Sequence, residues 1–334
     1  MTVTSLRTRW TAMLLLLPAA APCATLQEIT AFGDNPAGLR MLVQRPPALP
    51  PHAALVVALH GCSQDAQTYA QAGWSEYAQQ RSFLLLLPEQ SALERMTNSC
   101  WSWFRGDDSA RGSGQAASIV AMIGWLRMHH DIDPRRIFVD GLSAGGWFVP
   151  ELLADYPDVF AGGAVHAGGP AFCADVRRPF WDWFGWWTTM GGGTLAAQCM
   201  RGTDLAAADW SARARAHAPT GWRGPWPRLS IWQGSADLVV SPSNQRELLE
   251  QWTALHGADA NPEFSERLGT RYPALHQRFD DAAGGAVAET WRIEGMTHGI
   301  AIDAGAGAQC GEPSAFVLDV GLCAVRRVGA FWGL

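Results

Sequence analysis

The sequence lacks three features that mark well-known classes of protein. None of its seven cysteines forms a Cys-x-x-Cys pair, so we expect no structural metal site. Lysine and arginine number 25 against 31 acidic residues, so we expect no nucleic-acid partner. The apolar run at 13–17 is too short to cross a bilayer, so no membrane span is predicted. Repeats and long linkers are also missing, and 334 residues suit one large α/β domain or two small ones.

The N-terminus has the pattern of an export signal. Arg7 and Arg9 precede the short apolar run, and small residues follow it up to Ala24. We predict that residues 1–24 are a signal peptide, that 25–334 form a single catalytic domain, and that the protein is secreted.

Export changes the interpretation of the cysteines. Without Cys23, six remain, and an even number in an oxidising compartment favours three disulfides. Six cysteines allow about 15 pairings, which the sequence leaves open. Pairing neighbours along the chain is the simplest choice: Cys62–Cys100, Cys173–Cys199 and Cys310–Cys323.

Apolar runs alternate with segments of helical periodicity along most of the chain. This alternation predicts an α/β fold with a mainly parallel sheet and helices on both faces. A tryptophan-rich segment at about 173–226 breaks the alternation, and we interpret it as an insertion over one end of the sheet. The predicted strands are 54–60, 83–89, 136–141, 161–168, 228–234 and 288–295, and the predicted helices are 69–80, 115–130, 144–155 and 243–255.

The segment "GLSAG" at 141–145 lies between a predicted strand and a predicted helix. This is the context of a nucleophile elbow, a tight turn that leaves little room for neighbouring side chains. A plain glycine-rich turn is the alternative. We take Ser143 as the candidate nucleophile.

A nucleophilic serine needs a general base, and in this type of fold the base follows the acid along the chain. Glycines flank His298 in "GMTHG", after the last strong strand, so it is the best candidate. His256 lies in a predicted helix, and His276 is expected in a polar loop. His166 is expected to be a core residue of a buried strand.

The acid that orients the base is expected shortly after a strand. Asp237 follows the strand at 228–234 by a short loop, where a carboxylate can accept the imidazole N–H. Asp259, Asp280 and Asp281 are interpreted as solvated turn residues.

The segment "HGCSQ" at 60–64 follows another buried strand. In enzymes with a nucleophile elbow, the oxyanion hole is formed by a backbone N–H from this loop and by the backbone N–H of the residue after the nucleophile. The candidates are the N–H groups of Cys62 and Ala144. His60 is expected to be structural, and a disulfide from Cys62 to Cys100 would hold the loop.

Eight segments together carry a resemblance to a known family. The chain resembles the esterase family of extracellular polyhydroxybutyrate (PHB) depolymerases, α/β-hydrolases with relatives among feruloyl and acetylxylan esterases. The segments span nearly all of residues 25–334, in the family's order: "HGCSQ", "LLPEQ", "CWSWF", "GLSAGG", "YPDVFAGGAVHAG", "IWQGSAD", "GMTHG" and "LDVGLCAVRRVGAFWGL".

The resemblance implies the same triad, Ser143, Asp237 and His298, and the same oxyanion donors. It implies a secreted serine esterase that needs no cofactor and acts on polyhydroxyalkanoate or its oligomers. Many family members carry a polymer-binding domain after the catalytic domain. None follows Leu334, so we expect amorphous polymer or oligomers as substrate. The alternatives are a feruloyl or acetylxylan esterase, a serine protease, and a binding protein without catalysis.

Tryptophan is abundant, with 17 residues against 4 tyrosines. Exposed aromatic side chains are typical of apolar or sugar-like ligands, although we expect at least half of these to be core. The run at 179–187 looks like an addition to the family pattern, and it either contacts substrate or forms a local core. The candidate substrate contacts are Trp103, Trp181, Trp183, Trp187 and Trp332, and for Trp332 the core is the alternative location that the resemblance implies.

Overall fold

The computed structural model describes residues 25–91, 98–174, 186–269, 271–305, 307–308 and 310–334, except for the side chains of 186–193. The predicted signal peptide lies outside these residues. The strands are β1 (Gln27–Ile29), β2 (Arg40–Gln44), β3 (Ala53–Leu59), β4 (Leu84–Glu89), β5 (Ile132–Leu142), β6 (Gly162–His166), β7 (Arg228–Gly234), β8 (Phe264–Leu268), β9 (Ala274–Asp280), β10 (Ala286–Ile293), β11 (Ile300–Ile302) and β12 (Val317–Asp319). The helices are α1 (Ala66–Tyr69), α2 (Ser75–Arg81), α3 (Gly106–Ser109), α4 (Gly114–His129), α5 (Ala144–Asp155), α6 (Trp186–Arg201), α7 (Ala207–His217), α8 (Ser243–His256) and α9 (Ala324–Trp332), with a π-helical turn at Ala70–Trp74.

A 10-stranded sheet runs through the molecule in the order β1-β2-β4-β3-β5-β6-β7-β10-β9-β8. The pairs from β4 to β10 are parallel, whereas the strands at both edges pair antiparallel. Strands β11 and β12 form a separate small parallel sheet. The loops after β3, β5 and β7 therefore meet at one edge of the central sheet, which is the expected location of a site in a parallel α/β fold.

The central strands are buried on both faces. Alternate residues of β3 pack into two different cores: Leu55 and Val57 on one side of the sheet, Val56 and Ala58 on the other. Helices α4, α5 and α8 contribute buried residues to the first core, and α2 and α9 to the second. The α/β architecture with helices on both faces is thus confirmed.

The sequence-based prediction was wrong at one edge of the sheet. His276 was expected in a polar loop but lies in β9, which pairs with β8 and β10. Most residues of these edge strands are exposed or half-buried, so the strands lack the continuous apolar run that identifies the central strands.

Two helices, α6 and α7, lie in the predicted insertion. A disulfide between Cys173 and Cys199 ties α6 to the segment after β6. Trp181 and Trp183 lie outside the described residues, as does the side chain of Trp187, so their expected substrate contacts stay predictions. Within the described part of the chain, no helix is both long and apolar enough to cross a membrane.

Candidate active site

Ser143 lies on a sharp turn between β5 and α5. Its backbone has φ +56° and ψ −118°, an unfavourable conformation for a residue with a side chain. The turn leaves no space beside it. A Cβ atom on Gly141 would lie 2.4 Å from the Gly145 oxygen, and one on Gly145 would lie 2.5 Å from the Leu59 oxygen. The two glycines of "GLSAG" are therefore required by close backbone contacts.

His298 lies between Ser143 and Asp237. Its Nε2 is 2.9 Å from Ser143 Oγ, and its Nδ1 is 2.8 Å from Asp237 Oδ2. Because an ionised carboxylate only accepts hydrogen bonds, Nδ1 carries a proton and Nε2 is free to accept the serine proton. The structure thus brings together the three residues that the sequence selected, from loops separated by up to 155 positions.

The surroundings of Asp237 keep its carboxylate charged. Burial raises its pKa, but the hydrogen bond and charge of His298, together with the Val240 and Val239 N–H groups, outweigh burial and hold the pKa below its usual range. The Val239 and Val240 N–H groups donate to Oδ1 at 2.8 and 2.9 Å. Gln233 Nε2 donates to Oδ2 at 3.0 Å. An ionised, fixed carboxylate can orient His298 and stabilise its protonated form.

The two expected oxyanion donors lie on adjacent segments. Ala144 is the first residue of α5, and the first N–H groups of a helix have no acceptor within the helix. The start of α5 packs against the end of β3, as the contact of Gly145 with Leu59 shows. Cys62 lies three residues after the end of β3 and is bonded to Cys100. The positive end of the α5 dipole adds to the stabilisation of an anion here.

Gln64 is a positioning residue that the sequence analysis missed. Its Oε1 accepts the Gly61 N–H at 2.8 Å, and its Nε2 donates to the Ala315 oxygen at 3.0 Å. It therefore links the loop of Cys62 to the loop that precedes β12. Gln64 belongs to the quoted "HGCSQ" segment, but its distant partner, 251 residues along the chain, leaves no local signal.

His60 and His166 are both buried, as expected for structural residues. His166 Nε2 lies 2.8 Å from Asp140 Oδ2, in β5. Asp140 Oδ1 also accepts hydrogen bonds from Tyr69 Oη at 2.5 Å and from Trp74 Nε1 at 2.8 Å. This buried cluster lies directly below the elbow, and the backbone oxygen of His166 accepts the Ser143 N–H at 2.9 Å.

Of the two locations expected for Trp332, the structure corrects the substrate contact and shows the core. Only 2% of Trp332 is exposed, and its ring stacks on Phe138 and Trp74 in the core. Trp103 is likewise only 4% exposed and stacks on Trp147 of α5, with ring centroids 4.4 Å apart. Both side chains therefore present little area to a ligand and have packing roles.

The described residues form three disulfides: Cys62–Cys100, Cys173–Cys199 and Cys310–Cys323. Each bond joins two of the six cysteines that follow one another in the sequence. None of the described residues forms a group of three or more histidine, cysteine or acidic side chains that could hold a metal ion.

Comparison with known proteins gives the family. The family model described as "Esterase PHB depolymerase" matches residues 41–175. Poly(3-hydroxyalkanoate) depolymerase C of Paucimonas lemoignei is 40% identical over 325 residues, which cover 97% of this chain and 73% of that protein. The chain belongs to the PHB depolymerase esterase family. This esterase is thus a carboxylic ester hydrolase of the serine type.

The esterase has further relatives with other names. Feruloyl esterase B of Thermothelomyces thermophilus is 32% identical over 255 residues, which cover 75% of the esterase and 81% of that protein. The solved structure of an acetyl xylan esterase from Aspergillus awamori superposes with a TM-score of 0.71 at 23% identity, and covers 92% of the esterase and 99% of that chain. This likeness confirms the α/β-hydrolase fold.

Proposed function

We propose that this protein is a secreted serine esterase that hydrolyses polyhydroxyalkanoate or its oligomers through an acyl-enzyme. The observation that carries the chemistry is the continuous hydrogen-bonded array from Ser143 through His298 to Asp237. The 40% identity to a protein named poly(3-hydroxyalkanoate) depolymerase C supports the substrate class.

In the first half of the proposed reaction, His298 Nε2 takes the proton from Ser143 Oγ as this oxygen attacks the ester carbonyl carbon. The Asp237 carboxylate stabilises the imidazolium. The N–H groups of Cys62 and Ala144 bind the oxyanion, and a donor of this kind contributes about 3 kcal/mol to transition-state stabilisation. The ester C–O bond then breaks, and His298 returns its proton to the leaving alkoxide oxygen.

In the second half, water attacks the acyl-enzyme. His298 Nε2 takes a proton from this water while the water oxygen bonds to the acyl carbon. The bond from the carbonyl carbon to Ser143 Oγ breaks, and Oγ regains a proton from His298. The product is a carboxylic acid, and the three residues return to their starting protonation states.

Secretion is supported by the three disulfides, which persist in oxidising compartments. The basic and apolar pattern of residues 1–24 agrees with export. N-terminal sequencing of the protein recovered from culture medium tests this part of the proposal. A mature chain beginning near residue 25 is the expected result, and retention inside the cells contradicts it.

A substrate panel on the purified protein tests the activity. We expect clearing of poly(3-hydroxybutyrate) suspensions and cleavage of soluble p-nitrophenyl butyrate, with Ser143→Ala lowering both rates at least about 10⁴-fold. Release of ferulate or acetate from polysaccharide without polyester clearing would assign the feruloyl or acetylxylan activity instead. Failure of phenylmethylsulfonyl fluoride to label Ser143 in the folded protein would indicate a binding protein without catalysis.

A further inference from the structure

In the part of the chain that the structure describes, large exposed apolar side chains are few, and half of them line a groove together with His298 of the candidate active site. Leu238, Val239 and Phe316 line one groove of about 450 Å³, together with His298. We call these three residues the rim patch. Among the described residues, the other large apolar side chains with high exposure are scattered elsewhere: Met128, Leu195 and Phe264.

The first two members of the rim patch are held in place by the proposed triad. Asp237 Oδ1 accepts the N–H groups of Val239 and Val240, which fixes the turn that follows Asp237. This turn buries Val240 completely, while Leu238 is 98% and Val239 52% exposed. Two apolar side chains therefore project into solvent from a loop whose position is set by the carboxylate that binds His298.

Phe316 is held in place by a different loop. Its φ of +64° lies in the left-handed region, which a bulky side chain disfavours. The phenyl ring nevertheless remains 40% exposed, with its edge-to-face contact to His298 at 5.8 Å between centroids. The Phe316 oxygen accepts the Ile300 N–H at 2.9 Å, and Gln64 holds the preceding residue. The ring is therefore presented to solvent by a strained but well-bonded backbone.

We propose that the rim patch is the surface with which the enzyme lies on a solid aliphatic polyester, so that an ester group of the polymer reaches Ser143. The inference rests on the proposed function and extends it from cleavage to adsorption. The patch is uncharged and continuous with the groove of His298. Polyhydroxyalkanoate presents alkyl groups and carbonyl oxygens but no hydrogen-bond donors along its chain, so an apolar surface beside His298 fits it.

A polysaccharide surface fits the same patch less well. Sugar hydroxyl groups need many polar partners when they lose water. Beside His298, the side chains that line this groove include only two hydroxyl groups, those of Thr297 and Ser314. The chemistry of the rim patch thus favours polyester over xylan.

Adsorption is tested without catalysis in the Ser143→Ala variant. Binding to a film of amorphous poly(3-hydroxybutyrate) is measured with a quartz crystal microbalance, with insoluble xylan as the second surface. Adding Leu238→Ser is expected to weaken adsorption to the polyester at least about tenfold, since it removes a fully exposed apolar side chain from the contact. Adding Phe316→Ser is expected to weaken it as well.

Met128→Ser is the matched control. Met128 is 76% exposed on α4 and lies outside the groove, so this change removes a similar apolar area elsewhere. It is expected to leave adsorption unchanged. Equal adsorption of the Leu238 and Met128 variants, or tighter binding of the parent to xylan than to polyester, overturns the proposal. Either result can occur while the wild type still cleaves p-nitrophenyl butyrate, so the proposed function is tested separately.

Discussion

Two aspartate–histidine pairs lie near the central strands, each with a hydrogen bond of 2.8 Å. In the first, His298 uses its second nitrogen to contact Ser143, and 8% of His298 is exposed at the groove. In the second, His166 is fully buried against Asp140, and its Nδ1 has no hydrogen-bond partner among the residues that the structure describes. An aspartate–histidine pair thus occurs twice. One pair contacts a serine and is open to solvent, whereas the other pair is buried and contacts no serine hydroxyl of the described chain.

The two aspartates differ in what surrounds their remaining oxygen atoms. Asp237 Oδ1 is bound by backbone N–H groups of its own loop, so its position is determined locally. Asp140 Oδ1 is bound by Tyr69 and Trp74, which come from a different segment. The first arrangement fixes the histidine of the proposed triad, whereas the second joins β5 to the helical segment packed on it. Proximity of an acid to a histidine is therefore insufficient to identify an active site.

The largest predicted effect concerns Asp237. Asp237→Asn keeps the shape of the side chain but removes the charge that orients His298, so kcat is expected to fall about 10⁴-fold. Hydrolysis of p-nitrophenyl butyrate measures this change. The free energy of unfolding, obtained by urea denaturation, is expected to change much less. Retention of wild-type kcat would contradict the assigned role of Asp237.

Asp140→Asn is expected to show the opposite balance. Replacing the carboxylate disturbs hydrogen bonds from three buried donors and lowers the free energy of unfolding by about 3 kcal/mol. The activity of the protein that remains folded is expected to stay within about tenfold of wild type, because Asp140 does not contact the groove. Urea denaturation and ester hydrolysis on the same sample measure both quantities. A 10³-fold loss of kcat with unchanged stability would remove the distinction between the two pairs.

The smallest predicted effect concerns a third histidine, His276, which contacts Glu289 at 2.9 Å and Glu266 at 3.1 Å. Burial lowers the pKa of His276, but the hydrogen bonds and charges of these two carboxylates outweigh it, and the net pKa is raised. The contribution of this group to stability is therefore present below about pH 6.5, its ordinary pKa, and is lost as the pH rises through the raised value.

His276→Gln tests this third pair. The variant is expected to be destabilised at pH 5.5, because it loses the ion pairs of His276. The loss is expected to be at most about 1 kcal/mol, since Glu266 is partly exposed and solvent screens its charge. The difference from wild type is expected to shrink at pH 9. Urea denaturation at the two pH values measures it. A larger difference at pH 9 than at pH 5.5 would show that His276 is held neutral in the folded protein.

The central strands and the three residues of the proposed triad were predictable because their signals are local. Residues 54–59 are apolar throughout, since β3 is covered on both faces, and β7 is buried over all but its first residue. The nucleophile was recognisable from two glycines that close contacts require at Gly141 and Gly145. Asp237 and His298 were selected because each follows a predicted strand. Asp237 is preceded by Ser235 and Ala236, and His298 is followed by Gly299.

The remaining features depend on contacts between distant segments. For Trp332 the sequence left the substrate site and the core both open, and the packing of α9 against β5 places it in the core. Pairing with β10 makes the segment around His276 a strand, although its own residues alternate weakly. Phe316 and Leu238 come together only because Gln64 and Asp237 each hold a loop beside His298.

The amino-acid sequence by itself determined the α/β alternation, the strained serine turn and the order of the candidate triad. These follow from steric and hydrophobic rules that act within a few residues. Only the tertiary structure showed that His166 forms a second, buried pair with Asp140. It also decided which apolar side chains remain exposed around the groove. Burial and access depend on how all the segments pack together, and no short stretch of sequence carries that information.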